Sequence, residues 1–215
     1  MCSMFRQNII FAERLNKYCE QMIDIFNKNS GYATMAYLKE KKIHTSEITR
    51  ALKEGVIEKV KPGLYKLIDF PWDENSSFVD IKKSNDLAVV CLVSAAEYYD
   101  LTILNPSRIT IAIPRKSKFN KMLFPPVKVY YFNEKQYEMG IQEVSAQGGK
   151  FQIYSIEKTI ADLFRYQSKI GDDIVLEVLK NYLERPKRDI NLLLKFAHEC
   201  GSLKKITPYL AALTV

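Results

Sequence analysis

The sequence predicts an α+β fold in two parts, on three observations. Helical periodicity, turn residues and a short pair of strand-like runs follow one another within residues 1–70. A polar stretch holding Pro71 occupies 71–84 and reads as a linker. Strand-like alternation and periodic helices then share 85–215. The chain has 215 residues, 47% hydrophobic and 27% charged, a globular composition long enough to bury a core without staples.

Residues 12–28 form a predicted helix, because Leu15, Tyr18, Cys19, Met22, Ile23 and Phe26 recur at three- and four-residue steps. Asn29-Ser30-Gly31 stops it. Thr34 caps a second, short helix carrying Met35, Tyr37 and Leu38, which ends in Lys41-Lys42-Ile43-His44. Thr45 is a good N-cap for a third helix with Ile48, Ala51 and Leu52 on its inner face and Gly55 just past its end. Val56–Val60 and Gly63–Leu67 read as two strands about a Lys61-Pro62-Gly63 turn. Helix, short helix, turn, helix, hairpin is the order of a winged helix–turn–helix, in which the third helix can enter a major groove and the hairpin can track the backbone.

The second part reads as a mixed α/β carboxy-terminal domain. Asp86–Val93 and Ser94–Leu101 read as helical. Arg108–Ile113 alternates and reads as a strand ended by Pro114. Val127–Phe132, Gly140–Val144 and Phe151–Tyr154 continue the strand pattern, with Gly148-Gly149 turning between the last two. Ser155 caps a helix whose Ile156, Thr159, Ile160, Leu163 and Phe164 face inward. Asp172–Leu183, Asp189–Cys200 and Leu203–Leu213 read as further helices.

Charge and composition exclude several classes. The longest uncharged apolar stretch is Leu87–Ala96, far short of the roughly 20 residues a membrane helix needs. No signal-peptide pattern opens the chain, so a cytoplasmic protein with reduced thiols is expected. Cys2, Cys19, Cys91 and Cys200 form no short-spaced pair, and His44 and His198 are the only histidines, so no metal site is expected. The net charge is +7, which suits a polyanionic partner.

The basic residues concentrate in two places. On the third helix, Ser46, Thr49, Arg50 and Lys53 lie together, with Thr45 at its start. Arg50 is of the type that reads guanine O6 and N7, and Ser46 and Thr49 reach bases or phosphates. Lys59, Lys61 and Lys66 on the hairpin complete the candidate DNA-binding set. The second concentration is Leu101–Asn133, with six basic residues and no acidic one: Arg108, Arg115, Lys116, Lys118, Lys121 and Lys128. A solvated loop and a second surface for a polyanion or acidic partner stand as alternatives there.

Catalytic patterns fail on their chemistry. Gly149-Lys150 lacks the upstream glycine and the following Ser/Thr of a phosphate-binding loop. Gly201-Ser202 is not followed by the paired aspartates of a nucleotidyltransferase. Asp172-Asp173 follows Gly171 and suits a helix start. Glu157 and Asp162 are spread by about 140° on a helix, which opposes a shared metal. Asp162 is expected to pair with Lys158 or Arg165 on the helix surface. No catalytic residue, no cofactor and no enzymatic activity are expected.

Three ordered stretches resemble the AbiEi family of antitoxins from type IV toxin–antitoxin systems, also described as regulators of phage abortive infection. Gly55-Val-Ile-Glu-Lys-Val-Lys-Pro-Gly-Leu-Tyr-Lys-Leu67 is similar to that family's wing. Ser94-Ala-Ala-Glu-Tyr-Tyr-Asp-Leu101 is similar to its Ser-Ala helix, and Tyr154-Ser-Ile-Glu-Lys-Thr-Ile-Ala-Asp-Leu-Phe-Arg-Tyr166 to its Glu-Lys-Thr-x-x-Asp segment. About a dozen residues preceding the first helix have no counterpart role in the family.

The resemblance implies a bacterial two-domain protein that binds inverted repeats in its own promoter as double-stranded DNA and represses its operon. It also implies an antitoxin that counters a nucleotidyltransferase-like toxin of the AbiEii type without a stable complex. Basic surfaces of both domains are implicated in DNA binding in the family. The matching positions here are Arg50, Lys53, Lys59, Lys61 and Lys66 in the first domain and Arg115, Lys116 and Lys118 in the second. The alternative is a basic module that binds a protein or RNA without specific DNA recognition. A weaker one is a metal-dependent nuclease built on Asp162.

Overall fold

The computed structural model describes residues 20–119, 122 and 124–213. The chain is α+β and divides into two compact units, Met1–Val79 with Ala146–Gly149, and Asp80–Ser145 with Lys150–Val215. Each is described by itself.

The first unit begins with helix α1 (residues 20–28). The predicted residues 12–19 of this helix lie outside the described residues. Met22, Ile25 and Phe26 of α1 are buried, as their spacing requires. Strand β1 (Tyr32–Thr34) follows, then α2 (Met35–Glu40), capped by the Thr34 side chain accepting from the Tyr37 N–H at 3.1 Å. Helix α3 (Thr45–Lys53) leads to β2 (Ile57–Lys61) and β3 (Leu64–Leu67). The sheet order is β1-β3-β2, antiparallel throughout, so β3 lies at its centre. One core joins α1, Leu38 of α2, Ile48 and Ala51 of α3, and Ile57, Tyr65 and Leu67 of the sheet.

Two sequence expectations are corrected here. β1 was not predicted, because three residues after Gly31 carry too little alternation to signal a strand. The N-cap of α3 is His44 rather than Thr45, and the Glu47 carboxylate accepts from the His44 N–H at 2.7 Å.

The division between the two units, at Val79 and Asp80, falls within the expected linker at 71–84, part of which is helical. Ser76–Ser84 is a helix, α4, whose Val79, Asp80, Ile81 and Ser84 are buried. Its apolar positions are few, so its polar composition masks it.

The second unit holds β4 (Val89–Val90), α5 (Leu92–Tyr98), β5 (Ile109–Pro114), β6 (Val127–Phe132) and α6 (Glu134–Glu138). The chain continues through β7 (Ile141–Ala146), β8 (Gly149–Tyr154), α7 (Ile156–Arg165) and α8 (Gln167–Ile170). It ends with α9 (Asp172–Leu183), α10 (Ile190–Cys200) and α11 (Leu203–Leu213). The strand order is β6-β5-β4-β8-β7. β5 runs parallel to β6 and antiparallel to β4, and β4 runs parallel to β8.

The expected helix over Asp86–Val93 is corrected to a strand followed by a helix. Val89-Val90 pairs with both β5 and β8, which its β-branched side chains favour. Helix α7 is the hub of this unit. It packs against α5, α9, α10 and α11, and every residue from Lys158 to Phe164 is buried. Its Ser155 cap accepts from the Lys158 N–H, as the sequence predicts. Asp172 and Asp173 lie in the first turn of α9. Asp189 caps α10 by accepting from the Leu192 N–H at 2.8 Å.

Candidate nucleic-acid interface

Helix α3 owes its orientation to the turn before it. Lys42 takes a left-handed conformation (φ 64°) and the Ile43 N–H donates to Leu38 O at 2.9 Å. Ile43 is thereby driven into the core, 2% exposed, and the chain reverses into α3. Ile48 and Ala51 then anchor the helix from below.

The opposite side of α3 carries the predicted residues. Thr45, Ser46, Thr49, Arg50 and Lys53 are all exposed. The Thr49 hydroxyl donates to Thr45 O at 2.9 Å, which leaves its oxygen as an outward acceptor. Arg50 Nε donates to Glu54 Oε1 at 2.7 Å, with both side chains about half exposed, 46% and 49%. An exposed i,i+4 pair contributes about 0.3–0.5 kcal/mol, so a base or phosphate can displace Glu54 readily. Gly55 follows with φ +70°, the left-handed residue that ends the helix.

The hairpin behaves differently at its three lysines. Lys59 is exposed and Lys61 is half-buried beside the Pro62-Gly63 turn, where the register shifts between Lys59 and Lys61. Lys66 does not join them. It lies on the central strand β3, 9% exposed, with Nζ 2.9 Å from Glu58 and 5.3 Å from the Trp72 ring centroid. Its partners hold it inside the sheet, and it is left out of the interface. The signal available in the sequence was the run Leu64-Tyr65-Lys66-Leu67, every residue of which is buried. Trp72 itself packs edge-on to Tyr32 and against Phe70, and its indole N–H donates to Leu67 O.

In the second unit the basic run is split. Arg108 precedes β5, and Arg115, Lys116 and Lys118 follow it. At about 3.3 Å per residue the strand separates Arg108 from Arg115 by roughly 23 Å. All four are exposed, and Lys116 pairs with Glu134 at 3.3 Å. Lys121 lies outside the described residues. Lys128 is exposed on β6, its Nζ 5.4 Å from the Tyr130 ring centroid.

The Glu157, Lys158 and Asp162 set is corrected in place. Lys158 and Asp162 do pair, but in the core and not on the helix surface: both side chains are 0% exposed. The Lys158 ammonium also sits 4.3 Å from the Tyr154 ring centroid and 4.9 Å from that of Phe132. Burial pushes the Asp162 carboxyl above the usual carboxylate range, and the Lys158 charge pulls it back. Glu157 accepts from the Tyr182 hydroxyl at 3.2 Å. Burial likewise raises the thiols of Cys91 and Cys200, the latter to about 12. Among the described residues, no group of three or more His, Cys, Asp or Glu is arranged to hold a metal ion. No described helix is long and apolar enough to cross a membrane.

No protein-family model and no curated protein matches the sequence. Among solved structures, the chain is similar to the crystal structure of the RV2827C protein from Mycobacterium tuberculosis. The TM-score is 0.59 at 12% identity, over 91% of this chain and 81% of that one. At such low identity the likeness shows the fold alone.

Proposed function

We propose that the first unit is a winged helix–turn–helix that binds double-stranded DNA, and that the protein is the autorepressor and antitoxin of a type IV toxin–antitoxin system. It works in the cytoplasm and performs no catalysis of its own. Inverted repeats in its own promoter are its operator, and a nucleotidyltransferase-like toxin is what it counters. The observation that carries the DNA reading is the exposed face of α3, with Thr45, Ser46, Thr49, Arg50 and Lys53 on a helix whose other side is anchored by Ile48 and Ala51. The β2–β3 hairpin supports it, because it adds Lys59 and Lys61 immediately after that helix. The antitoxin reading is supported by the three stretches similar to the AbiEi family.

Binding separates into two kinds of contact. Arg50 is the base reader, released from Glu54 as it enters the groove. Lys53, Lys59 and Lys61 meet phosphates and displace counterions, which makes affinity fall steeply with salt. Occupied repeats exclude polymerase.

The test is a gel shift with operator and scrambled duplexes for the parent, Arg50→Ala and Lys61→Ala. Arg50→Ala is expected to lose discrimination worth about 1–3 kcal/mol, while Lys61→Ala weakens both duplexes alike. Parent-like preference in Arg50→Ala would remove it from the readout.

A further inference from the structure

The outer edge of the larger sheet is formed by β6. Among the described residues β6 is the terminal strand, paired only with β5 in the strand order. The Ile109 N–H donates to Pro126 O at 2.9 Å and the Arg115 N–H donates to Phe132 O at 2.7 Å. In a parallel pair bonding alternates along the strand. Lys128 and Tyr130 therefore direct their backbone groups at β5 as Pro126 and Phe132 do. Val127, Val129 and Tyr131 turn their N–H and C=O groups outward. The register agrees, since Val127, Val129 and Tyr131 stand opposite Ile109, Ile111 and Ile113. None of these outward backbone groups has a hydrogen-bond partner among the described residues.

The side chains around this edge define what it fits. Val127 and Val129 pack on the small core of Ile81, Ile111 and Ile113. Tyr131 on the same face is 48% exposed. Cations flank both ends: Arg108 and Lys128 near the start of the β5–β6 pair, and Arg115 at its end beside Lys116, which pairs with Glu134. The whole segment Leu101–Asn133 contains no acidic residue.

We propose that β6 is a docking strand that takes up an extended, acidic segment of a partner protein by strand addition. The edge offers carbonyl acceptors as often as N–H donors. A peptide strand satisfies both, whereas a nucleic-acid backbone meets the carbonyls with its own oxygens. A second copy of this chain would bring the same cations face to face across the new pair. An acidic strand alone satisfies the backbone row and the charge together. The proposal concerns the second unit and stands independently of the DNA reading.

The experiment uses the full-length protein and a synthetic peptide alternating Glu and Val. A Lys-Val counterpart and a duplex oligonucleotide serve as controls. Amide exchange is followed by NMR. The acidic peptide is expected to slow exchange at Val127, Val129 and Tyr131 while Lys128 and Tyr130, already bonded to β5, stay as they were. Its affinity should exceed that of the basic peptide by at least about tenfold and fall with salt. Val129→Pro removes one outward donor and should weaken binding about tenfold. Lys128→Glu, which leaves the backbone intact, should weaken it similarly if Val129→Pro folds poorly. Three results would overturn the proposal. One is no change at the three amides. Another is the same protection produced by the oligonucleotide. The third is protection that depends on protein concentration without peptide, which assigns the edge to a second copy.

Discussion

Replacing Lys158 by methionine tests how the second unit is held together. The substitution keeps the volume of a side chain that is 0% exposed and removes its charge. Asp162 then stays in the core without its ammonium partner, and its Oδ1 already has no hydrogen-bond partner among the described residues. Breaking one side of a buried pair costs about 3–5 kcal/mol, a large share of a total stability of about 5–15 kcal/mol. The ammonium's contacts with the Tyr154 and Phe132 rings are lost as well, which places the expected loss near the upper end. The double variant Lys158→Met with Asp162→Leu removes both charges and should recover to within about 1 kcal/mol of the parent. Urea unfolding of the whole chain, followed by far-UV circular dichroism, measures both. Fluorescence of Trp72, the only tryptophan, reports separately on the first unit. The pH dependence has a fixed sign. An acid whose folded pKa is raised by burial contributes most below its unfolded pKa, and that contribution is lost as pH rises through the folded value. Without Lys158 that rise is larger, so the deficit of Lys158→Met should narrow as pH falls from neutral towards the carboxylate range. A Lys158→Met protein within about 1 kcal/mol of the parent at neutral pH, with no gain in the double variant, would refute the reasoning.

Four other outcomes are expected. Lys66→Ala should destabilise the first unit by about 1.5–3 kcal/mol, read from Trp72 fluorescence, through loss of the Glu58 pair. It should leave the salt slope of DNA binding unchanged, whereas Lys59→Ala should reduce that slope by about 1. Cys91 and Cys200 should resist alkylation in the native protein and react once denaturant is added, as peptide mass mapping would show, because burial keeps both thiols protonated. Gly140→Ala should cost about 1–3 kcal/mol in a thermal melt, since the position has φ +72° and an added Cβ would lie 2.9 Å from Lys158 Cβ.

Much of the local structure was legible because it is written in short-range chemistry. Thr34 and Ser155 act as the helix caps that their side chains suggest, and Gly55 ends α3. The period-two run at Val127–Phe132 has the bounds of β6. What was not legible depends on neighbours far along the chain. The apolar run from Leu87 to Ala96 has no internal period to separate strand from helix, and Val89-Val90 becomes a strand only because β5 and β8 flank it. The i,i+4 spacing of Lys158 and Asp162 was readable, but their burial was not. Enclosure of α7 by four other helices decides it. The exposure of Thr45, Ser46, Thr49, Arg50 and Lys53 was legible, because Ile48 and Ala51 are enough to orient a short helix. Lys66 departs from the expected surface for the opposite reason: strand alternation suggests an open face, and β1 and Trp72 cover it.

The most direct measurement is a footprint on the DNA upstream of this protein's own gene, run across a salt series with a scrambled duplex beside it. Two protected repeats, a steep loss of affinity with salt and loss of the preference in Arg50→Ala are expected. Equal affinity for the operator region and the scrambled duplex at every salt concentration would contradict the autorepressor reading.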